Sequence, residues 1–248
     1  MATADSMRLV VAAERREFRG ILRNCGPVNE LSWPVAYAVS AKLNGVTYVF
    51  AANGPGPGLT AEVLKVAEVE AGKAGGKNLI GAVISTGFCG GLDPRLALGE
   101  IVEATSVVDC DTGRQYASRP VSTSATRTKG VVLSMDRVAG TLEDKAELRT
   151  KINGATAIEM EAAAVAPWAI ERAIPFYCVR VVSDCACDAF PFDMNQMRDS
   201  AGRFDLKRIA ATALRNPFQN IPGLLKIDRD CRVAEEKLGV FFANCRFE

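Results

Sequence analysis

The chain contains no histidine, and this narrows the chemistry open to it. Ser-His-Asp and Cys-His arrangements are excluded, so acid–base work falls to carboxylates, or less often to Lys, Tyr or Cys. Two segments put carboxylates where chemistry could be done. In AIEMEAAAVA (157–166), Glu159 and Glu161 flank Met160 and lead into an almost wholly apolar run. A helix dipole would stabilise them there, either as plain helix-start charges or as ligand-binding groups. In VRVVSDCACD (179–188), Arg180 lies inside an apolar run that Ser183 and Asp184 close. That acid either caps the next helix or, if buried, carries a raised pKa and donates a proton near neutral pH.

Two glycine-bearing stretches could present backbone groups to a ligand. In ANGPGPGLTAEV (52–63) the glycines follow a strand pattern and precede a helical one. Backbone N–H groups could face an anion there, or the stretch is a simple strand–helix turn. It has neither a Walker A loop nor GxGxxG spacing. STGFCGGLDPRLALGEIV (85–102) reads either as a tight turn between two strands or as a backbone platform at the carboxyl edge of a sheet. The eight cysteines form no CxxC pair, so no metal site is expected. Cys185 and Cys187 read as small thiols beside a strand end.

The elements that must hold these groups follow from the hydrophobic pattern. Strand-length apolar runs occur at 9–13, 46–52, 78–85, 101–108, 131–134 and 176–183. Helical patterns occupy 60–72 (with Thr60 as N-cap), 143–152, 155–173, 204–215 and 228–238. Pro167 should kink or divide the third. The alternation predicts an α/β fold, a three-layer sandwich with a central mixed sheet. The polar stretch 109–130 reads as a long loop. One domain is expected over 1–248, with a flexible N-terminus over 1–6 and a helical C-terminal extension over 216–248. A net charge of +1 gives no footprint for nucleic acid. The absence of an eighteen-residue apolar run excludes a transmembrane helix. A 248-residue chain does not need disulfides to fold, so a reducing cytoplasm is the default.

Taken in order, AERREF, GPGPG, TGFCGGL, IEMEAAA and VRVVSD resemble the nucleoside phosphorylase/nucleosidase superfamily over roughly residues 7–188. The resemblance implies cleavage of the N-glycosidic bond of a purine nucleoside, a small-molecule substrate with adenine as its base. Glu17 then matches the acid that activates the attacking water, and Glu161 the carboxylate that binds the ribose hydroxyls. Asp184 matches the general acid at N7 of the departing base, supported by Ser183. Met160 matches the residue lining the ribose face, Glu159 is carried over as a substrate-binding position, and Arg180 holds the site through ion pairing. Phe88, Cys89, Gly90, Gly54 and Val138 are carried over as substrate-binding positions. Neither cofactor nor metal is implied, and a homodimer is expected.

The stretches corresponding to the phosphate site of the phosphorylases, 43–64 and AVISTGFCGG, carry no arginine or lysine. That favours hydrolysis over phosphorolysis, in which phosphate would be co-substrate; Arg19, Arg23 or a partner's arginine would reverse the preference. Phe88 stands where the nucleosidases usually carry a small residue, which puts the standard methylthioadenosine substrate in question. The tail (216–239) looks like the extension of the hopanoid-associated phosphorylases, which act on adenosylhopane; Leu224, Leu225 and Ile227 would then meet an apolar substrate or merely dock on their own core. A non-catalytic nucleoside-binding protein is the alternative of a different class.

Overall fold

The computed structural model describes residues 6–73 and 79–248. The chain opens with β1 (Met7–Ala12), a 3-10 turn (Arg15–Phe18) and the short α1 (Arg19–Leu22). Then come β2 (Asn29–Glu30), β3 (Tyr37–Leu43), β4 (Val46–Ala52), α2 (Pro57–Lys73) and β5 (Ile80–Gly91). The middle holds β6 (Ile101–Asp109), β7 (Gln115–Ala117), β8 (Ser122–Thr123), β9 (Thr128–Ser134) and α3 (Leu142–Lys151). It ends with β10 (Ala155–Glu159), α4 (Ala162–Glu171), β11 (Phe176–Asp184), α5 (Leu206–Arg215), α6 (Pro217–Ala243) and β12 (Cys245–Arg246).

The strands form a mixed sheet in the order β10-β9-β6-β11-β5-β1-β4-β3-β2. Parallel pairs at its centre (β1 with β4 and β5, β11 with β5) are flanked by antiparallel ones such as β3 with β4 and β11 with β6. An added antiparallel pairing of β10 with β5 through Ala157–Gly91 and Ile158–Gly90 curls one half of the sheet back on itself. The expected mixed α/β architecture is present, with this closure as its refinement.

Alternation along β1 shows how the layers are built. Leu9 and Val11 join Val63, Leu64 and Ala67 of α2 and Val165, Ala166 and Ala169 of α4 in one core. Val10 and Ala12 face the other way, into a core with Phe18, Ile21 and the α6 residues Ala234, Leu238 and Phe242. A strand covered on both faces reads as continuously apolar, as this one does. Across the second core α1 meets α6 at Gly20 and Gly239, where a Cβ on either glycine would collide with the other helix's backbone. This close approach fixes the 3-10 turn carrying Glu17.

Several sequence expectations need correction. The alanine-rich 155–173 segment is not one helix. Its first five residues are β10, all buried, between β9 and β5. The ladder hydrogen bonds and burial on both faces outweigh alanine's helix propensity. The helix that follows runs through Pro167 undivided. Thr60 is not an N-cap, because α2 begins at Pro57, whose fixed φ and missing N–H suit a first helical position, after a turn at Gly56 with φ of 103°. The predicted loop 109–130 carries β7 and β8, and β8 pairs with the terminal β12. The predicted helix 228–238 is part of the 27-residue α6. β2 and β3 were not expected. Asn78, at the start of one predicted strand, and residues 1–5 of the expected flexible terminus lie outside the described residues.

Candidate active site

The carboxyl ends of β1, β5, β10 and β11 converge on one side of the sheet, where open α/β folds bind ligands. A cavity of about 530 Å³ opens there. Its polar end is formed by Glu17, Glu161 and Asp184 with Ser183, while Phe190, Pro191, Phe204, Leu206 and Ile227 line an apolar arm.

At the polar end, one guanidinium pairs with two carboxylates. Arg180 points from β11 into the protein and is fully buried. It pairs with Glu159, with Glu161 at 3.1 Å, and donates to Ser85 Oγ at 2.6 Å. Glu159 also accepts the N–H groups of Glu161 and Ala162 at the start of α4, so the helix-start role is present as well. Glu161 accepts the Gly56 N–H at 3.2 Å. Glu17 accepts the N–H of Phe88 at 2.6 Å and of Glu14 at 2.8 Å. Gly87, at φ 120°, passes so close to Glu17 that a Cβ would overlap its carboxylate. Only glycine meets both demands there.

Glu17, Glu159 and Glu161 are each no more than 4% exposed, so a single cation cannot balance them all in ionised form. Burial pushes the Glu17 carboxyl up to about 7, against the two backbone N–H groups and Arg180 that lower it. Burial likewise raises Glu161 to about 8, with Arg180 opposing and Glu159 adding to the rise. For Arg180, burial acts against the charge, but Glu159 and Glu161 outweigh it and hold the guanidinium protonated. A carboxyl poised near neutral pH is what a general base requires.

Asp184 ends β11 with both oxygens engaged. Oδ1 accepts from Ser183 Oγ at 2.9 Å. Oδ2 accepts from Lys145 Nζ at 2.6 Å. Lys145 reaches it from the middle of α3 and is 1% exposed. The same ammonium donates to the carbonyls of Cys185 at 2.7 Å and Asp188 at 3.0 Å.

Ten of the twelve residues expected from the sequence line this cavity: Glu17, Phe88, Cys89 and Gly90 from one side, Val138, Glu159, Met160 and Glu161 from another, and Ser183 and Asp184. Arg180 lies behind the wall and acts through the glutamates. Gly54 is not brought to the cavity; at φ 121° it packs against Leu59 and Arg203, and it serves the turn before α2. Of the tail's apolar trio, Ile227 lines the cavity, whereas Leu225 is 66% exposed. Phe88 lies at the cavity wall with the Arg16 guanidinium 5.8 Å from its ring centre. Arg16 is also held by Asp228 and Glu235 of α6. Among the described residues there is no cluster of side chains able to hold a metal ion. Nor, among them, is any helix long and apolar enough to cross a membrane.

Sequence reasoning missed Lys145, Ser85 and Arg16. Nothing in LEDKAELRTK marks Lys145, since α3 looks like an ordinary charged surface helix. A repacking of α3 against the 184–188 turn, invisible in the pattern, buries it.

The family model described as Phosphorylase superfamily matches residues 122–211. Among curated relatives, the chain is 28% identical over 144 residues to the 5'-methylthioadenosine/S-adenosylhomocysteine nucleosidase of Staphylococcus epidermidis, covering 48% of this chain and 63% of that one. It is 31% identical over 138 residues to the enzyme of the same name from Haemophilus ducreyi, covering 45% and 60%. The matched stretch thus spans less than two thirds of these relatives' length. In fold, the chain resembles the Neisseria meningitidis 5'-methylthioadenosine/S-adenosylhomocysteine nucleosidase in complex with methylthio-immucillin-A, with a TM-score of 0.68 at 21% identity, covering 96% and 98%. It also resembles a futalosine hydrolase mutant of Helicobacter pylori, with a TM-score of 0.66 at 14% identity, covering 95% and 96%. The profile match thus runs from β8 into α5, and the likeness to these solved structures over nearly the whole length shows that the chain shares their fold.

Proposed function

We propose that the protein hydrolyses the N-glycosidic bond of an adenine nucleoside. The observation that carries this reading is the meeting of Glu17, Glu161 and Asp184 on the lining of one cavity. In this reading Glu161 accepts hydrogen bonds from the ribose hydroxyls and favours the positive charge that develops on the sugar. Asp184 assists departure of the base at N7. Glu17 takes the proton from a water that attacks the ribosyl cation from the opposite face. No cofactor is needed.

Hydrolysis is preferred to phosphorolysis on electrostatic grounds. A phosphate dianion would enter beside two buried carboxylates, where Arg180 is already paired with Glu159 and Glu161, and Arg16 on the cavity wall with Asp228 and Glu235. Arg19 is 58% exposed in its side chain and lies 4.0 Å from Glu235. A second reading concerns the 5′ end of the ribose. The apolar arm bounded by Phe190, Phe204, Leu206 and Ile227 suits a bulky apolar 5′ substituent, in keeping with the tail's likeness to the hopanoid-associated phosphorylases.

Both points are tested by assaying adenine release from a panel of 5′-substituted adenosines, in phosphate-free buffer and again with phosphate. Release without phosphate is expected, fastest for apolar 5′ groups. Release only with phosphate would make the protein a phosphorylase. No release from any member would leave a nucleoside-binding protein.

A further inference from the structure

Lys145 is the buried charged group that the proposed reaction leaves unexplained. A lysine 1% exposed needs partners for all of its charge, and the three it has are informative. Only one, Asp184 Oδ2, is an acid side chain; the other two are the neutral carbonyls of Cys185 and Asp188. The remaining charge nearby is already committed, since the Asp188 carboxylate is held by Lys226 of α6 and by the Cys185 N–H. Asp184 in turn accepts from Lys145 and Ser183 at once. With both oxygens accepting, Asp184 presents no proton of its own to a departing base.

We propose that Lys145 supplies the proton that Asp184 passes to the leaving purine. This rests on the adenine-releasing reading above and specifies where its acid comes from. As the C1′–N9 bond breaks, its electron pair goes to the purine. One proton then moves from Lys145 Nζ to Asp184, and one from Asp184 to N7. The base leaves neutral, and Lys145 is left as an amine with two N–H groups and a lone pair. Two carbonyls, those of Cys185 and Asp188, accept the N–H groups that remain. Meanwhile the attacking water gives its proton to Glu17, and exchange with solvent through the open cavity restores both groups. Lys145 is therefore a positioning and proton-supplying residue that acts through Asp184 without touching the substrate.

The test compares two leaving groups. Adenine departs with help from a proton, whereas 4-nitrophenolate from a 4-nitrophenyl β-riboside departs as a stable anion. Lys145→Arg keeps the charge and the hydrogen bonding, but a guanidinium does not release a proton; Lys145→Met removes both. Both variants should lower kcat/KM for adenine release by about 10²–10⁴-fold, while nitrophenolate release stays within about 3-fold of the parent protein. Equal losses on the two substrates would show that Lys145 only shapes the 184–188 turn and would overturn the proposal. So would full adenine release by Lys145→Arg. Should Lys145→Met fail to fold, Lys145→Arg alone carries the comparison. If the parent protein released no adenine, the functional reading itself would fall, a result distinct from either of these.

Discussion

Replacing Glu17 by glutamine isolates the group whose titration most affects the site. In the folded chain the Glu17 carboxyl is 4% exposed and rises from 4.5 to about 7 because burial disfavours its charge. The folded state therefore holds this proton more tightly than the unfolded chain does. Its contribution to stability is complete below about pH 4.5 and is lost as the pH climbs through about 7. A rise of about 2.5 pH units, at ~1.4 kcal/mol each, makes that loss about 3 kcal/mol. This is an upper figure, because Glu161 titrates in the same cluster and the two share protons. Glutamine is nearly isosteric and can still accept the Phe88 N–H through its amide oxygen, but it does not titrate. Urea unfolding of both proteins between pH 4.5 and 8.5 should show the unsubstituted protein losing stability relative to Glu17→Gln by up to that amount as pH rises. In adenine-release assays kcat/KM of the unsubstituted protein should climb with pH through about 7, and Glu17→Gln should fall about 10²–10⁴-fold. Parallel stability curves would refute the assignment of a raised pKa to Glu17, and an undiminished rate would refute its role as base.

Asp184→Asn keeps the Ser183 contact but cannot relay a proton, so kcat for adenine release should fall by about 10²–10⁴-fold while substrate affinity changes little; equal losses in the two would contradict the acid role. Arg180→Met leaves Glu159 and Glu161 buried without their cation, and denaturant unfolding at neutral pH should show a loss of about 3–5 kcal/mol. Gly239→Ala puts a methyl into the Gly20 backbone at the α1–α6 crossing; thermal unfolding should register about 1–3 kcal/mol of destabilisation, and displacement of the Glu17 turn should lower activity as well.

The sequence by itself determined what kind of chemistry was open. With no histidine, carboxylates had to do the work, and Glu159 and Glu161 ahead of an apolar run and Asp184 at the close of another stood out because hydrophobic period and length are local properties. The β1 and β11 strands were legible for the same reason, being apolar on both faces. Tertiary structure decided what depends on partners distant in the chain. β10 became a strand only because β9 and β5 offered it hydrogen bonds on both edges. Gly54, carried over from the resemblance as a binding position, instead serves the turn before α2, because its surroundings are set by Leu59 and Arg203. Glu17 and Glu161 acquired raised pKa values because folding buried three carboxylates around one guanidinium, an arrangement that no spacing along the chain encodes. Lys145 was hidden for the same reason. Its neighbours in α3 mark a solvated helix, and only the turn after β11, some 40 residues on, made it the partner of Asp184.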